Sequence, residues 1–225
     1  IRKKRYKLGL MQQVTLKDAC INNEGITTVY CQESDQFEST IDAILLTIKP
    51  DTILPFKFTD STNIGSATLI YNRSNDAIQF VGFYGEPNQA GLVGAVFSNL
   101  DTTQTTWNTI YRRFDPEWLK TLNTGIFNSS LIAGDFKLNI CIPKSDGGLV
   151  ITAEQKDVST ENYVYTINGI SQSISKSIYK FNEILILSYD KEYYTEWQHK
   201  ITKNQITIND GGYFSSAAPF VSEKY

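Results

Sequence analysis

The chain has 225 residues, long enough to bury a full-sized hydrophobic core without disulfide staples. With 41% apolar and 20% charged residues, it has a globular composition, which excludes an intrinsically disordered chain. The net charge of −3 is unevenly held: Arg2, Lys3, Lys4, Arg5 and Lys7 crowd the start, and the remainder carries 16 basic against 24 acidic residues.

Residues 1–12 therefore form a basic N-terminal arm, and 13–225 are expected to be one domain, because no fixed-period repeat, low-complexity tract or linker divides them. The side chains favour a pleated surface: 25 Ile, 22 Thr, 13 Tyr and 12 Phe stand against ten Ala and one Met. Strand-like segments run in chain order as 14–17, 27–31, 41–48, 54–58, 67–72, 78–84 and 92–97, then 136–142, 149–153, 163–167, 174–181, 184–189 and 206–208. Turn-forming residues separate them, among them Lys49-Pro50-Asp51, Ser145-Asp146-Gly147-Gly148 and Asn209-Asp210-Gly211-Gly212. Two hairpins are predicted. One turns at 72–76, and the other at Asn168-Gly169, a pair suited to a two-residue type I′ turn. After that turn, Ile170, Ile174 and Ile178 alternate with Ser171, Ser173, Ser175 and Ser177, giving a sheet with one polar side. One short helical excursion is expected around residues 102–124, from the three- and four-residue spacing of Trp107, Ile110, Tyr111, Phe114, Trp118 and Leu122. Asp101 and Gln104 offer a cap, and Asp115-Pro116-Glu117 a second helix start. The fold class is all-β, an antiparallel β-sandwich.

Catalytic chemistry finds little to work with. His199 is the single imidazole and sits in a charged stretch, and no nucleophile elbow or phosphate-cradling glycine loop occurs. Cys20, Cys31 and Cys141 lack metal or disulfide spacing and read as free thiols, while Asp146 and Asp210 read as turn residues. The expectation is a protein that is not an enzyme and has no cofactor and no metal. The functional leads are contact surfaces. The tyrosine-dense stretches 163–165 and 189–194, with Tyr193 and Trp197 foremost, can anchor a protein interface or stack on sugar rings. Arg2, Lys3, Lys4, Arg5 and Lys7 can contact nucleic acid or a neighbouring subunit. No apolar run reaches the length of a membrane helix, so no membrane span is expected.

In Phe127-Asn128-Ser129-Ser130-Leu131-Ile132-Ala133-Gly134-Asp135-Phe136-Lys137-Leu138-Asn139-Ile140-Cys141-Ile142-Pro143, a Gly-containing turn leads into a strand that ends at Pro. With some thirteen short strands, a polar uncharged exterior, a basic first segment and a start at Ile1, this resembles a jelly-roll capsid subunit of picorna-like viruses, cut from a polyprotein. The resemblance implies a jelly-roll sandwich, a structural protein located in the virion, and partners that are other copies or sister capsid subunits. It also implies genomic nucleic acid as a partner of the arm. The alternative is a phage tail, baseplate or surface adhesin domain that binds glycan through Tyr193 and Trp197.

Overall fold

The computed structural model describes residues 13–34, 40–58, 63–73, 76–86, 91–101, 106–122, 136–168, 170–213 and 215–218. The basic residues between Arg2 and Lys7 lie outside them. Thirteen strands and one helix follow in order: β1 (Gln13–Ile21), β2 (Thr27–Ser34), β3 (Thr40–Ile48), β4 (Ile53–Lys57), β5 (Asn63–Asn72), β6 (Ala77–Gly85), β7 (Gly94–Asp101), β8 (Thr106–Arg113), α1 (Pro116–Leu122), β9 (Phe136–Pro143), β10 (Leu149–Ile167), β11 (Ile170–Tyr189), β12 (Thr195–Ile201) and β13 (Gln205–Ile208). The all-β antiparallel class is as expected.

The strand order is not that of a jelly roll. The first sheet is β1-β2-β3-β4, the middle sheet β5-β6-β7-β8 and the third β12-β11-β10-β9, with β13 also beside β11. Each is a meander of sequence neighbours, without the long returning connection of a Greek key among the described residues. Short turns such as Asn72↔Ala77 join adjacent strands directly, so local hairpins decide the topology.

Nor are there only two layers. Along β6 and β7, Ile78, Phe80, Tyr84, Val96 and Leu100 point to one side and pack with Tyr30, Leu45 and Phe58 of the first sheet region. Val81, Phe83, Ala95 and Phe97 point to the other side, against Leu149, Ile151, Leu185, Leu187 and Tyr189 of the third. The central strands β6 and β7 of the middle sheet are buried on both faces, which is why 78–84 reads as a nearly continuous apolar run. Within the sheet the strands approach closely: a Cβ on Gly82 would fall 2.6 Å from the Ala67 Cβ of β5, and one on Gly94 2.2 Å from the Arg112 carbonyl oxygen of β8.

Polar pins join the layers. Trp107 Nε1 donates to Thr47 Oγ1 at 3.2 Å, between the middle and first sheets. Asp18, beside a bulge in β1, accepts from Thr68 Oγ1 at 2.6 Å and the Leu69 amide at 2.8 Å. The Leu138 amide of β9 donates to Ser66 Oγ at 2.9 Å, so β5 is stitched to both neighbouring sheets.

The helical excursion is shorter than expected. Residues 106–113 form β8, which pairs with β7 from Gly94↔Arg113 to Asp101↔Thr106, and helix is confined to Pro116–Leu122. The helix-like spacing of Trp107, Ile110 and Tyr111 arises because both faces of β8 are apolar: Trp107 and Tyr111 face the first sheet and Ile110 the third. The β-branched Thr106, Thr109 and Ile110 suit that strand. Residues 102–105 and 123–124 lie outside the described ones.

Candidate assembly surface

The segments expected at 149–153 and 163–167 are one strand, β10, and those at 174–181 and 184–189 are one strand, β11. They pair, with one bulge between the Glu154↔Ile184 and Lys156↔Phe181 pairs, out to Ile167↔Ile170, and Asn168 has φ 52°, as the first central position of a type I′ turn requires. The other strands stop much earlier: β9 leaves β10 at Gln155, and β13 leaves β11 at Ile178. Beyond those points the hairpin runs on as a two-stranded arm whose residues are mostly exposed.

Its two faces differ. One carries Thr160, Asn162 and Thr166 opposite Ser177, Ser175 and Ser171, with Ser175 Oγ donating to Asn162 Oδ1 at 2.6 Å and Thr166 and Ser171 hydroxyls 3.2 Å apart. The other carries Tyr163 opposite Ile174, Tyr165 opposite Gln172 and Ile167 opposite Ile170, and continues through Ile178 onto Ile208 and Ile206 of β13. Along β10 this second face has the parity of Leu149, Ile151 and Ala153, so the core-facing side of the third sheet extends outward past the body. Tyr163, Ile167, Ile170, Ile174, Ile206 and Ile208 are each 46–66% exposed. Glu161 and Lys176 sit opposite one another on the same face; the Tyr163 hydroxyl donates to Glu161, and Lys176 Nζ lies 4.9 Å from the Tyr163 ring centroid. Matched charge thus separates the apolar side chains toward the tip from Ile178, Ile206 and Ile208. Exposed apolar side chains gathered on one face in this way mark a contact site.

Tyr193, expected at the surface, is in the core. In the turn between β11 and β12 it takes φ 62°, which turns the ring inward, stacked on Phe97 with centroids 4.4 Å apart and 7° between planes. Its hydroxyl donates to Asn99 Oδ1 at 2.8 Å and accepts from Gln79 Nε2 at 3.0 Å. Arg112 braces the same turn, giving hydrogen bonds to the carbonyl oxygens of Tyr193 and Glu192 and lying 4.1 Å from the Tyr194 ring centroid. Tyr193 therefore locks the third sheet to the middle one and is not available as a surface aromatic. Trp197 is 49% exposed, opposite Ser188 on the outer face of the third sheet, where His199 of β12 points the same way.

On that outer face the buried Glu154 carboxylate accepts from Lys203 Nζ at 2.5 Å, from Ser216 Oγ at 3.0 Å and from the Ala217 amide. Lys203 also donates to the Ser215 carbonyl, so one ion pair clasps residues 215–217 to the sheet. Where the three sheets meet, Lys17, Tyr30, Gln32, Ser66 and Lys137 help line a recess of ≈ 250 Å³. Its lining offers ammonium, amide and hydroxyl groups but no carboxylate to form an acid–base pair. Burial pushes the Cys141 thiol up to about 12, and it raises Cys20 and Cys31 as well, which makes these poor nucleophiles. Among the described residues no cluster of three or more His, Cys, Asp or Glu side chains could hold a metal ion, and no helix is long and apolar enough to cross a membrane.

Sequence reading singles out 163–165 of this hairpin for its tyrosines but misses its isoleucine face, because alternation of Ile and Ser reveals an amphipathic strand but not whether the apolar side is covered. The signal that could have found it is length: an alternating pattern over 156–178 outruns the strands available to cover it. No family model, no curated protein and no solved structure matches the chain.

Proposed function

We propose that the protein is a structural subunit that assembles with other copies or sister subunits into a particle, in the manner of a viral capsid protein, and that the β10–β11 hairpin is its principal contact. The observation that carries this reading is the apolar stripe of Tyr163, Ile167, Ile170, Ile174, Ile206 and Ile208, which continues the core-facing side of a sheet beyond the body. Fully burying such a side chain is worth about 1.5–3 kcal/mol, so covering six half-exposed ones yields roughly 6 kcal/mol. That gain is comparable with the ~4–15 kcal/mol cost of association, so a partner must supply more than apolar contact, through main-chain pairing or many simultaneous copies. The basic residues Arg2, Lys3, Lys4, Arg5 and Lys7 would add salt-sensitive attraction to packaged nucleic acid.

The test replaces residues 160–177 with Asn-Gly, which closes the hairpin at the Ser159↔Ile178 pair and keeps β13. The shortened protein should unfold at nearly the parental temperature yet lose assembly, read by sedimentation and negative-stain microscopy. A parent that stays monomeric at high concentration and binds no sister subunit would sink the reading.

A glycan-binding adhesin is the second reading, and half-exposed Trp197 favours it. A Trp197→Ala variant that loses binding on a glycan array while keeping its fold would support it over the shell.

A further inference from the structure

We infer that two copies join edge to edge along β10, across a two-fold axis at Asn162; this rests on the assembly reading above and names its contact. β9 pairs with β10 only as far as Gln155, so from Lys156 to Asn168 the edge of β10 away from β11 has no strand partner among the described residues. This edge holds no proline, and its only charged residues are Lys156, Asp157 and Glu161. A long exposed edge with a full set of alternating N–H and C=O groups is a template for another strand.

Symmetry and charge then select the partner and the register. A strand pairing antiparallel with its own copy keeps each face together only if the paired residue numbers sum to an even value. Using the whole edge from Lys156 to Asn168 puts its midpoint, Asn162, on the axis. In that register Glu161 faces Tyr163 of the second copy, Thr160 faces Val164, Ser159 faces Tyr165, Val158 faces Thr166, Asp157 faces Ile167 and Lys156 faces Asn168. No like charges oppose each other, and Glu161 meets the residue type whose hydroxyl it already accepts from within its own hairpin. Sliding by two numbers one way sets Glu161 against its copy; sliding the other way leaves Lys156 and Asp157 unpaired. The resulting ribbon, β11-β10-β10-β11, carries the Tyr163, Tyr165, Ile167, Ile170 and Ile174 side chains of both copies on one face, and on the other mostly Ser, Thr and Asn side chains together with Val158 and Val164. The second copy thus supplies the main-chain hydrogen bonds that the apolar stripe alone lacks, and it doubles that stripe.

The decisive test is cysteine cross-linking in the otherwise intact chain. Directly opposite residues of an antiparallel pair have Cα atoms about 4.5–5.5 Å apart, within disulfide range. Asn162→Cys should therefore give a disulfide-linked dimer on mild oxidation. Ser173→Cys, also exposed but on β11, should not, since its copy would lie three strand spacings across and four residues along, roughly 20 Å away. A charge swap supplies the second readout: Thr160→Lys with Val164→Lys should weaken dimerisation at least about tenfold by sedimentation, whereas Thr160→Lys with Val164→Glu should retain it. Cross-linking of Asn162→Cys no faster than of Ser173→Cys overturns the inference. If the parent then still sediments as an oligomer, assembly stands and uses another contact; if it is a monomer that binds no sister subunit, both fail.

Discussion

Replacing Tyr193 by Phe isolates one hydroxyl that joins two layers of the fold. The ring would keep its stack on Phe97, but Asn99 Oδ1 and Gln79 Nε2 would both lose their partner, at 2.8 Å and 3.0 Å. Gln79 is 2% exposed and its Oε1 already has no hydrogen bond, so its whole amide would be stranded between sheets. An orphaned buried polar group costs about 1–3 kcal/mol, and Asn99 is only partly buried, so the expected loss is about 2 kcal/mol. For a chain of this size that lowers Tm by roughly 4–8 °C. Urea unfolding followed by fluorescence should show a lower midpoint at unchanged slope, because the surface exposed on unfolding is the same. Adding Gln79→Met should recover at least half of the loss, since an apolar pair of similar shape needs no hydrogen bond. A Tyr193→Phe variant within 0.5 kcal/mol of the parent, the ordinary spread for an unimportant site, would refute the claim that this hydroxyl pins the sheets.

Other substitutions probe the remaining ties. Glu154→Gln leaves the Lys203 ammonium without its counter-charge on a face where the carboxylate is almost fully buried, and should cost about 3 kcal/mol by chemical denaturation. It should also speed proteolysis near residues 215–217, which that ion pair holds down. Acid should destabilise the fold in a defined window. The Lys144 ammonium and the Ser188 hydroxyl hold Glu196 below its ordinary 4.5, the Gly148 amide holds Asp146 below its ordinary 3.8, and the Thr207 hydroxyl lowers Asp210 likewise. Groups with depressed folded values give stability that is complete above the unfolded value and vanishes as pH falls through the folded one. Tm should therefore drop as pH falls from about 5 to 2, and Glu196→Gln should flatten that drop. Native protein at pH 8 should react slowly with a thiol reagent, Cys141 slowest of all, and all three thiols should react quickly in urea.

Much of the fold is legible in local pattern. The hairpin turns at 72–76 and 168–169 follow from residues that tolerate positive φ, and Asp76 and Asn168 do adopt it, at 51° and 52°. What local pattern lacks is the number of layers. An apolar strand inside a two-sheet sandwich and one sandwiched between two sheets differ only in whether alternation survives, and in 78–84 the one polar side chain, Gln79, is followed on its own face by Val81 and Phe83. The same ambiguity turned β8 into a predicted helix, since a strand apolar on both faces can mimic three- and four-residue spacing. Tyr193 was misplaced because a left-handed turn residue among charged neighbours looks exposed, and only the tertiary partner Phe97 shows otherwise. Assembly is an expectation from composition and resemblance; the hairpin proposed as its contact shows only in the strand ends, set by where β9 and β13 stop.

A strand with no wet side leaves evolution almost nowhere to edit. Every residue of β6 after Ala77 lies in one of two interiors, so a change that suits one layer is judged at once by the packing of both. Novelty must collect on the outer surfaces and on the protruding ribbon. Related chains should thus keep the central strands nearly invariant while their hairpins drift in length and polarity without touching the slab that holds the ribbon in place.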